Sequence, residues 1–194
     1  MMSAVFDVQV ITLADLRSDQ NGNLITELAE IIRAVFSEPP WHERYSEARL
    51  KFGLGVEMMR KNPILIIARH KHHGDLAAYS LGQELVANSE DPRDQTFFKI
   101  SGAHELDYLA DHQQRTFYVS GLGVKTQYRR LGVAEQLSSA LIAELRRQQF
   151  DYRLGRTDLN AHGMRRLYAK QGFKELPIRD VNYPERSYWL LPLK

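Results

Sequence analysis

A chain of 194 residues with a formal charge of +2 lies in the single-domain range and can bury most of its apolar surface without covalent staples. It contains no cysteine, which excludes disulfides, thiolate catalysis and cysteine-ligated metal and is compatible with a reducing compartment. No run approaches the ~18 apolar residues of a membrane span, the N-terminus lacks a signal-peptide pattern, and the near-balanced charge gives little ground for nucleic-acid coating. The expectation is one cytoplasmic domain over residues 1–194 that binds neither membrane nor nucleic acid.

Taken from the start, Phe6 to Thr12 reads as an outer strand. Leu24, Leu28, Ile31, Ile32 and Val35 form a helical stripe that Pro39-Pro40 ends. A second helix is expected over Ser46 to Arg60. Pro63 then opens Ile64-Leu65-Ile66-Ile67-Ala68, a short apolar run suited to a buried strand; Lys71-His72-His73-Gly74 makes the turn and Leu76 to Val86 returns. His70, His72 and His73 cluster in that turn without a carboxylate at ligand spacing, so no metal is expected. Asn88 to Arg115 is irregular, with a short helix around Glu105 to Asp111, and reads either as a surface excursion or as a lid over a substrate. Phe36, Trp41, Tyr45 and Tyr79 are candidates to line an acceptor pocket, or ordinary packing. No repeat, low-complexity tract or linker marks a domain boundary.

The second half carries the chemistry. Thr116 to Val124, rich in β-branched and aromatic residues, predicts a strand, and Val133, Leu137, Ala140, Leu141 and Leu145 predict a helix. Between them stands Gln127-Tyr128-Arg129-Arg130-Leu131-Gly132-Val133-Ala134. The first N–H groups of a helix have no intrahelical partner and carry the positive end of its dipole. Gly132 keeps a side chain out of the way, Ala134 keeps the first turn open, and Arg129 and Arg130 add charge-assisted donors, so the loop suits a diphosphate. Gly121 and Gly123 project to one strand face, clearing it for a ligand or for closely packed protein. The loops of nucleotide hydrolases and dinucleotide-binding proteins and the elbow of serine esterases are absent.

Arg129, Gly132 and Ala134 occupy the defined positions of Arg/Gln-x-x-Gly-x-Gly/Ala, and the segment resembles motif A of the GNAT superfamily of acyl-CoA-dependent N-acyltransferases. Asp151 to Leu159 reads as a further strand, and Asn160-Ala-His-Gly-Met-Arg-Arg-Leu-Tyr-Ala-Lys-Gln-Gly-Phe173 is similar to the family's motif B. The resemblance covers Thr116 to Phe173 by motif and the rest by element order.

It implies an α/β fold: a central mixed, mostly antiparallel twisted sheet flanked by helices and splayed at its central strands. It also implies acetyl-CoA as acyl donor, held by Arg129, Arg130, Leu131, Gly132, Val133 and Ala134 at the diphosphate and by the main chain of Leu122, Gly123 and Val124 along the pantetheine arm. Asn160 would meet the cofactor arm or cap the next helix. Arg165 would reach a phosphate or remain a solvated helix charge. Tyr168 would protonate the departing thiolate, or serve as a core tyrosine beside Leu167.

Many relatives carry a Glu on the central strand as base, where this chain has Ser120-Gly121. A lysine-like amine costs about 4–5 kcal/mol to deprotonate at pH 7 and an α-amino group about 1. The acceptor is therefore expected to be a low-pKa amine, or one deprotonated through water held by Ser120 and a carboxylate, with Glu84 the candidate. The acceptor would be a small-molecule or peptide amine, a homodimer is compatible, and the alternative is a non-catalytic acyl-CoA sensor or interaction module on the same fold.

Overall fold

The computed structural model of the chain describes residues 5–18, 23–86, 109, 114–180 and 182–194. In chain order they form β1 (Phe6–Ile11), α1 (Leu13–Ser18), α2 (Asn23–Ser37), α3 (Glu47–Glu57), β2 (Ile64–His70), β3 (Leu76–Glu84), β4 (Thr116–Val124), α4 (Val133–Arg147), β5 (Tyr152–Asp158), α5 (His162–Lys170), β6 (Lys174–Arg179) and β7 (Arg186–Pro192). The strands hydrogen-bond in the order β1-β2-β3-β4-β5-β7-β6, so the expected α/β architecture is present. Among the described pairs, β4–β5 is parallel, while β1–β2, β2–β3, β5–β7 and β6–β7 are antiparallel. The Asn88 to Arg115 segment, with its expected short helix, lies outside the described residues except for Leu109, Gln114 and Arg115.

The chain divides into two compact units, 1–82 with 121–141, and 83–120 with 142–194. In the first, the apolar stripe of α2 buries Leu28 and Ile31 among Ile11, Leu16, Leu54, Met58, Leu65, Ile67, Leu76, Tyr79 and Leu81. Ser46 caps α3, its hydroxyl accepting the Arg49 N–H at 3.3 Å, so the helix starts where the sequence indicates. It stops at Glu57, three residues short of the expected Arg60. Helix α1 was not anticipated. Its signal is a reciprocal cap: Thr12 N–H and hydroxyl donate to the Asp15 carboxylate, each at 2.7 Å, and Asp15 N–H donates back to the Thr12 hydroxyl at 3.1 Å.

In the second unit, Leu85, Leu109, Tyr118, Leu154 and Tyr188 form the core, joined by Tyr152, Leu176, Ile178 and Leu190. Strand β7, Arg-Ser-Tyr-Trp-Leu-Leu-Pro, was also not anticipated; it pairs with β5 from Tyr152↔Pro192 to Asp158↔Arg186. The β4–β5 ladder runs from Thr116↔Tyr152 to Val119↔Gly155 and goes no further, although β4 continues to Val124. The backbone from Ser120 onward is thereby left out of that ladder, which is the splay the sequence resemblance implied.

Asp151 joins three segments of this unit. Its carboxylate accepts the Arg115 N–H at 2.8 Å and a hydrogen bond from the Lys194 ammonium. The Lys194 bond, then the Arg115 N–H, hold its pKa below the ordinary value. A depressed carboxylate contributes stability that is full above the unfolded-state pKa of ~3.9 and is lost as pH falls through the folded-state value. Asp151→Asn is therefore expected to flatten the acid limb of stability below about pH 4 while leaving its slope near neutrality unchanged. Urea titrations between pH 2.5 and 7 check this, and an unchanged acid limb would refute it.

Candidate functional site

In the first unit, β4 leads through Lys125 into a single 3-10 turn, Thr126–Tyr128, and then the loop to α4. The turn is fastened from three sides. Lys125 N–H donates to the Ala77 carbonyl at 2.9 Å. The Tyr128 hydroxyl bonds both oxygens of Asp75 at 2.8 and 2.9 Å, and its ring stacks on His70 at 5.3 Å.

Arg130 (φ +63°) and Gly132 (φ +78°) then take left-handed backbone, which reverses the chain into α4. A Cβ on Gly132 would meet nothing within 4 Å, so among protein atoms its backbone angle, rather than crowding, calls for glycine. Gln136 N–H donates to the Gly132 carbonyl at 3.1 Å as α4 begins, and the N–H groups of residues 133–135 precede any intrahelical acceptor. Val133 is buried and anchors this end, Ala134 is half-buried, and Leu131 is exposed.

The two arginines divide their work. Arg129 Nε donates to the Val124 carbonyl at 3.2 Å and Nη1 to Glu38 at 2.6 Å, while Glu38 also accepts from the Thr126 hydroxyl at 3.3 Å. Arg129 thus braces the loop's shape. Arg130 is exposed and makes no ion pair or hydrogen bond among the described residues. First-turn N–H groups with an exposed cation beside them suit a diphosphate; one carboxylate, Glu135, shares that turn. Glu38 was not legible from sequence, being 91 residues from its partner with no local signal.

Along β4, Ser120 is exposed, Leu122 and Val124 are half-buried and Gly123 is buried. The clear face at Gly121 and Gly123 is taken by protein: a Cβ on Gly121 would lie 2.9 Å from the Tyr79 hydroxyl, and one on Gly123 would lie 2.6 Å from Tyr79 Cε1 and 3.2 Å from Ile31 Cγ2. These glycines seat the Tyr79 ring. Burial, then the carboxylates of Glu43 and Glu57, push its phenol above the ordinary range. Phe36 packs on Trp41 at 5.5 Å, and the Tyr45 hydroxyl donates to Glu43 at 2.6 Å.

The histidine turn is internally satisfied. His70 Nδ1 accepts the N–H groups of His72 and His73 at 3.3 and 3.2 Å. Among the described residues no group of three His, Asp or Glu side chains could hold a metal ion. Among those same residues no helix is long and apolar enough to cross a membrane.

In the second unit, Asn160 is exposed after β5; its N–H donates to Asp158 at 2.7 Å, and α5 begins with Ala161, not Asn160, at the capping position. Tyr168 is 2% exposed, packed on Phe173 at 4.7 Å and Trp189 at 5.6 Å, with its hydroxyl over Gly155. Burial pushes its pKa up to about 12 against the opposing pull of Arg153, so it is a protonated phenol at neutral pH. Arg165 is engaged with Glu175 at 2.9 Å, with the Ser187 hydroxyl at 3.2 Å, and over the Trp189 ring at 5.2 Å.

Glu84 is 5% exposed and held by Arg115, Nη2 at 2.7 Å and Nε at 3.3 Å. The Leu85 N–H donates to the Thr116 carbonyl, which sets Glu84 about three residues along β4 from Ser120, on the order of 10 Å at strand rise. Those two residues are not brought together.

The family model for the Acetyltransferase (GNAT) family matches residues 26–173. The chain belongs to the GNAT acetyltransferase family. A comparison with curated proteins gives no match. Among solved structures, this GNAT chain has the fold of the ribosomal-protein-S18-alanine N-acetyltransferase from Escherichia coli at 16% identity, covering 97% of this chain and 94% of that one with a TM-score of 0.59. It is likewise similar to yncA from Salmonella typhimurium, an acetyltransferase solved with its cofactor acetyl-CoA, at 14% identity, 98% and 95% coverage and a TM-score of 0.62. A chain of the NatC complex bound to Gag peptide and CoA aligns at 18% identity, 97% and 99% coverage and a TM-score of 0.61.

Proposed function

We propose that this GNAT chain is an acetyl-CoA-dependent N-acetyltransferase that transfers the acetyl group to a primary amine by direct attack. The observation that carries this reading is the Arg130–Gly132 reversal, two left-handed residues that deliver β4 into the N-terminus of a 15-residue helix within the family-matched span. The donor supplies an activated thioester. The first-turn N–H groups of α4 and Arg130 hold its diphosphate, Arg129 fixes the loop, and the main chain of Leu122 to Val124 pairs with the amide-bearing arm, as does Asn160. The Leu122 N–H polarises the acetyl carbonyl. Tyr168, with its proton retained at neutral pH, gives that proton to the departing sulfur. Acceptor amines in peptides are favoured by two of the structural relatives, one named for an alanine of a ribosomal protein and one bound to a peptide. A low-pKa amine lightens the deprotonation by about 3 kcal/mol relative to a lysine-like one.

Calorimetric titration with acetyl-CoA tests this. Arg130→Gly removes the charge and relieves a left-handed non-glycine residue, so its fold is expected to be at least as stable as wild type. Its affinity for acetyl-CoA is expected to fall tenfold or more, as for loss of a charge-assisted contact worth about 1.5–3 kcal/mol. A folded wild type that binds no acetyl-CoA would overturn the proposal.

A further inference from the structure

Resting on that acetyltransferase reading, the first unit also shows how donor binding is felt outside the diphosphate loop. Glu38 lies just past α2 and Arg129 just past the Thr126–Tyr128 turn, and both belong to that unit. The carboxylate divides between two partners: one oxygen accepts from Arg129 Nη1 at 2.6 Å and the other from the Thr126 hydroxyl at 3.3 Å. Both side chains of the ion pair are 38% exposed, so water screens it and it adds little to stability. A carboxylate beside an anion-binding loop also opposes the anion by its charge. Geometry accounts for its place there. Arg129 is held between Glu38 and the Val124 carbonyl immediately before Arg130 and Gly132, the two left-handed residues, and a non-glycine residue keeps such a backbone only where its surroundings fix it.

The main chain of Glu38 has a second task. Its carbonyl accepts the N–H groups of Trp41 and His42 at 3.0 and 3.2 Å, and the Phe36 carbonyl accepts the Glu43 N–H at 2.7 Å. Residues 36–43 therefore close on themselves around Glu38, with the half-buried Trp41 ring against Phe36 at 5.5 Å. One residue thus holds the Trp41 segment by its backbone and the diphosphate loop by its carboxylate.

We propose that Glu38 is a positioning residue for the acyl donor: acting through Arg129, it fixes the diphosphate loop in its binding shape and joins that loop to the Trp41 segment. Linkage makes the connection reciprocal. A contact that favours donor binding is favoured by the donor to the same extent, so the arrival of the diphosphate steadies Glu38 and, with it, the surroundings of Trp41.

The test titrates the full chain with coenzyme A, read by calorimetry and by tryptophan emission. Wild type is compared with Glu38→Ala, Trp41→Phe, Arg129→Ala and the double variant Glu38→Ala with Arg129→Ala. Glu38→Ala keeps the main-chain bonds and removes only the carboxylate, so its melting temperature is expected to stay close to wild type. Its affinity for coenzyme A is expected to fall about fivefold, the upper end for a solvent-accessible ion pair. Arg129→Ala retains Arg130 and the α4 N–H groups and so still binds; in that background Glu38→Ala is expected to cost less than about twofold more, because Glu38 acts through Arg129. Saturation with coenzyme A is expected to change the wild-type emission. That change is expected to vanish in Trp41→Phe, which identifies the reporter, and in saturated Glu38→Ala, which identifies the link. A carboxylate that serves stability alone would leave affinity and emission unmoved. Equal or tighter binding in Glu38→Ala, a full loss that persists without Arg129, or the absence of a Trp41 signal that depends on Glu38 would overturn the inference. A folded wild type that binds no coenzyme A would instead strike the acetyltransferase reading, and this inference with it.

Discussion

Gly155→Ala is expected to destabilise the protein by about 3 kcal/mol, the upper end of the usual cost of overpacking a closed site. A Cβ at this β5 position would stand 2.2 Å from the Tyr168 hydroxyl, 2.6 Å from its Cζ and 3.2 Å from its Cε1. The ring has little room to give way, because Phe173 and Trp189 pack against it at 4.7 and 5.6 Å. The strand cannot give way easily either: Gly155 is paired with Val119 on one side and Trp189 on the other. For a chain of this length the cost corresponds to a melting temperature lowered by roughly 6–12 °C, read by thermal unfolding. Adding Tyr168→Phe removes the closest atom and is expected to restore part of the loss. A melting temperature within a degree of wild type for Gly155→Ala would mean that Tyr168 is not seated on β5. The same packing bears on the chemistry proposed for Tyr168, since a general acid acts only from a fixed position.

Glu84→Gln carries the second large effect, about 2–3 kcal/mol of lost stability. Breaking a buried ion pair costs about 3–5 kcal/mol, and the lower figure applies here because the Arg115 side chain is 35% exposed and keeps some solvent screening. Arg115 is also bound to the Gln148 carbonyl at 2.5 Å and lies over the Phe150 ring at 4.1 Å, so it stays in place when its partner is neutralised. The Glu84 hydrogen bond, ahead of simple charge attraction, is what raises the Arg115 pKa. Urea unfolding measures the stability, and steady-state turnover per folded molecule separates the two roles proposed for Glu84. An ion-pair role predicts an unchanged rate and pH profile with lower stability. A lower rate with a shifted pH profile at unchanged stability would make Glu84 the base.

What could be read without coordinates was local. The α2 stripe, the Ser46 cap, the β2 run and the strand-loop-helix around Arg129 to Ala134 rest on periodicity and on residues within a few positions of one another. Helix α1 announces itself by an equally local cap, Thr12 with Asp15, although the pattern is short enough to pass for the end of a strand. Strand β7 shows no hydrophobic alternation because both of its neighbours are strands and most of its residues are buried, so its run does not separate a strand from a buried helix.

By itself, then, the sequence determined the fold family and the loop suited to a diphosphate, because backbone geometry, helix dipoles and hydrophobic period depend on neighbours in the chain. Only the tertiary structure decided how individual side chains are employed. Arg129 and Arg130 are adjacent and chemically alike, yet Glu38 claims one and leaves the other open. Gly121 and Gly123 make room for Tyr79, and Gly155 for Tyr168. Glu84 is bound to Arg115, and Arg165 to Glu175. A charge or a clear strand face is taken by whichever group packing brings nearest in space, and those partners lie from 10 to 91 residues away in the chain, where no local pattern records them.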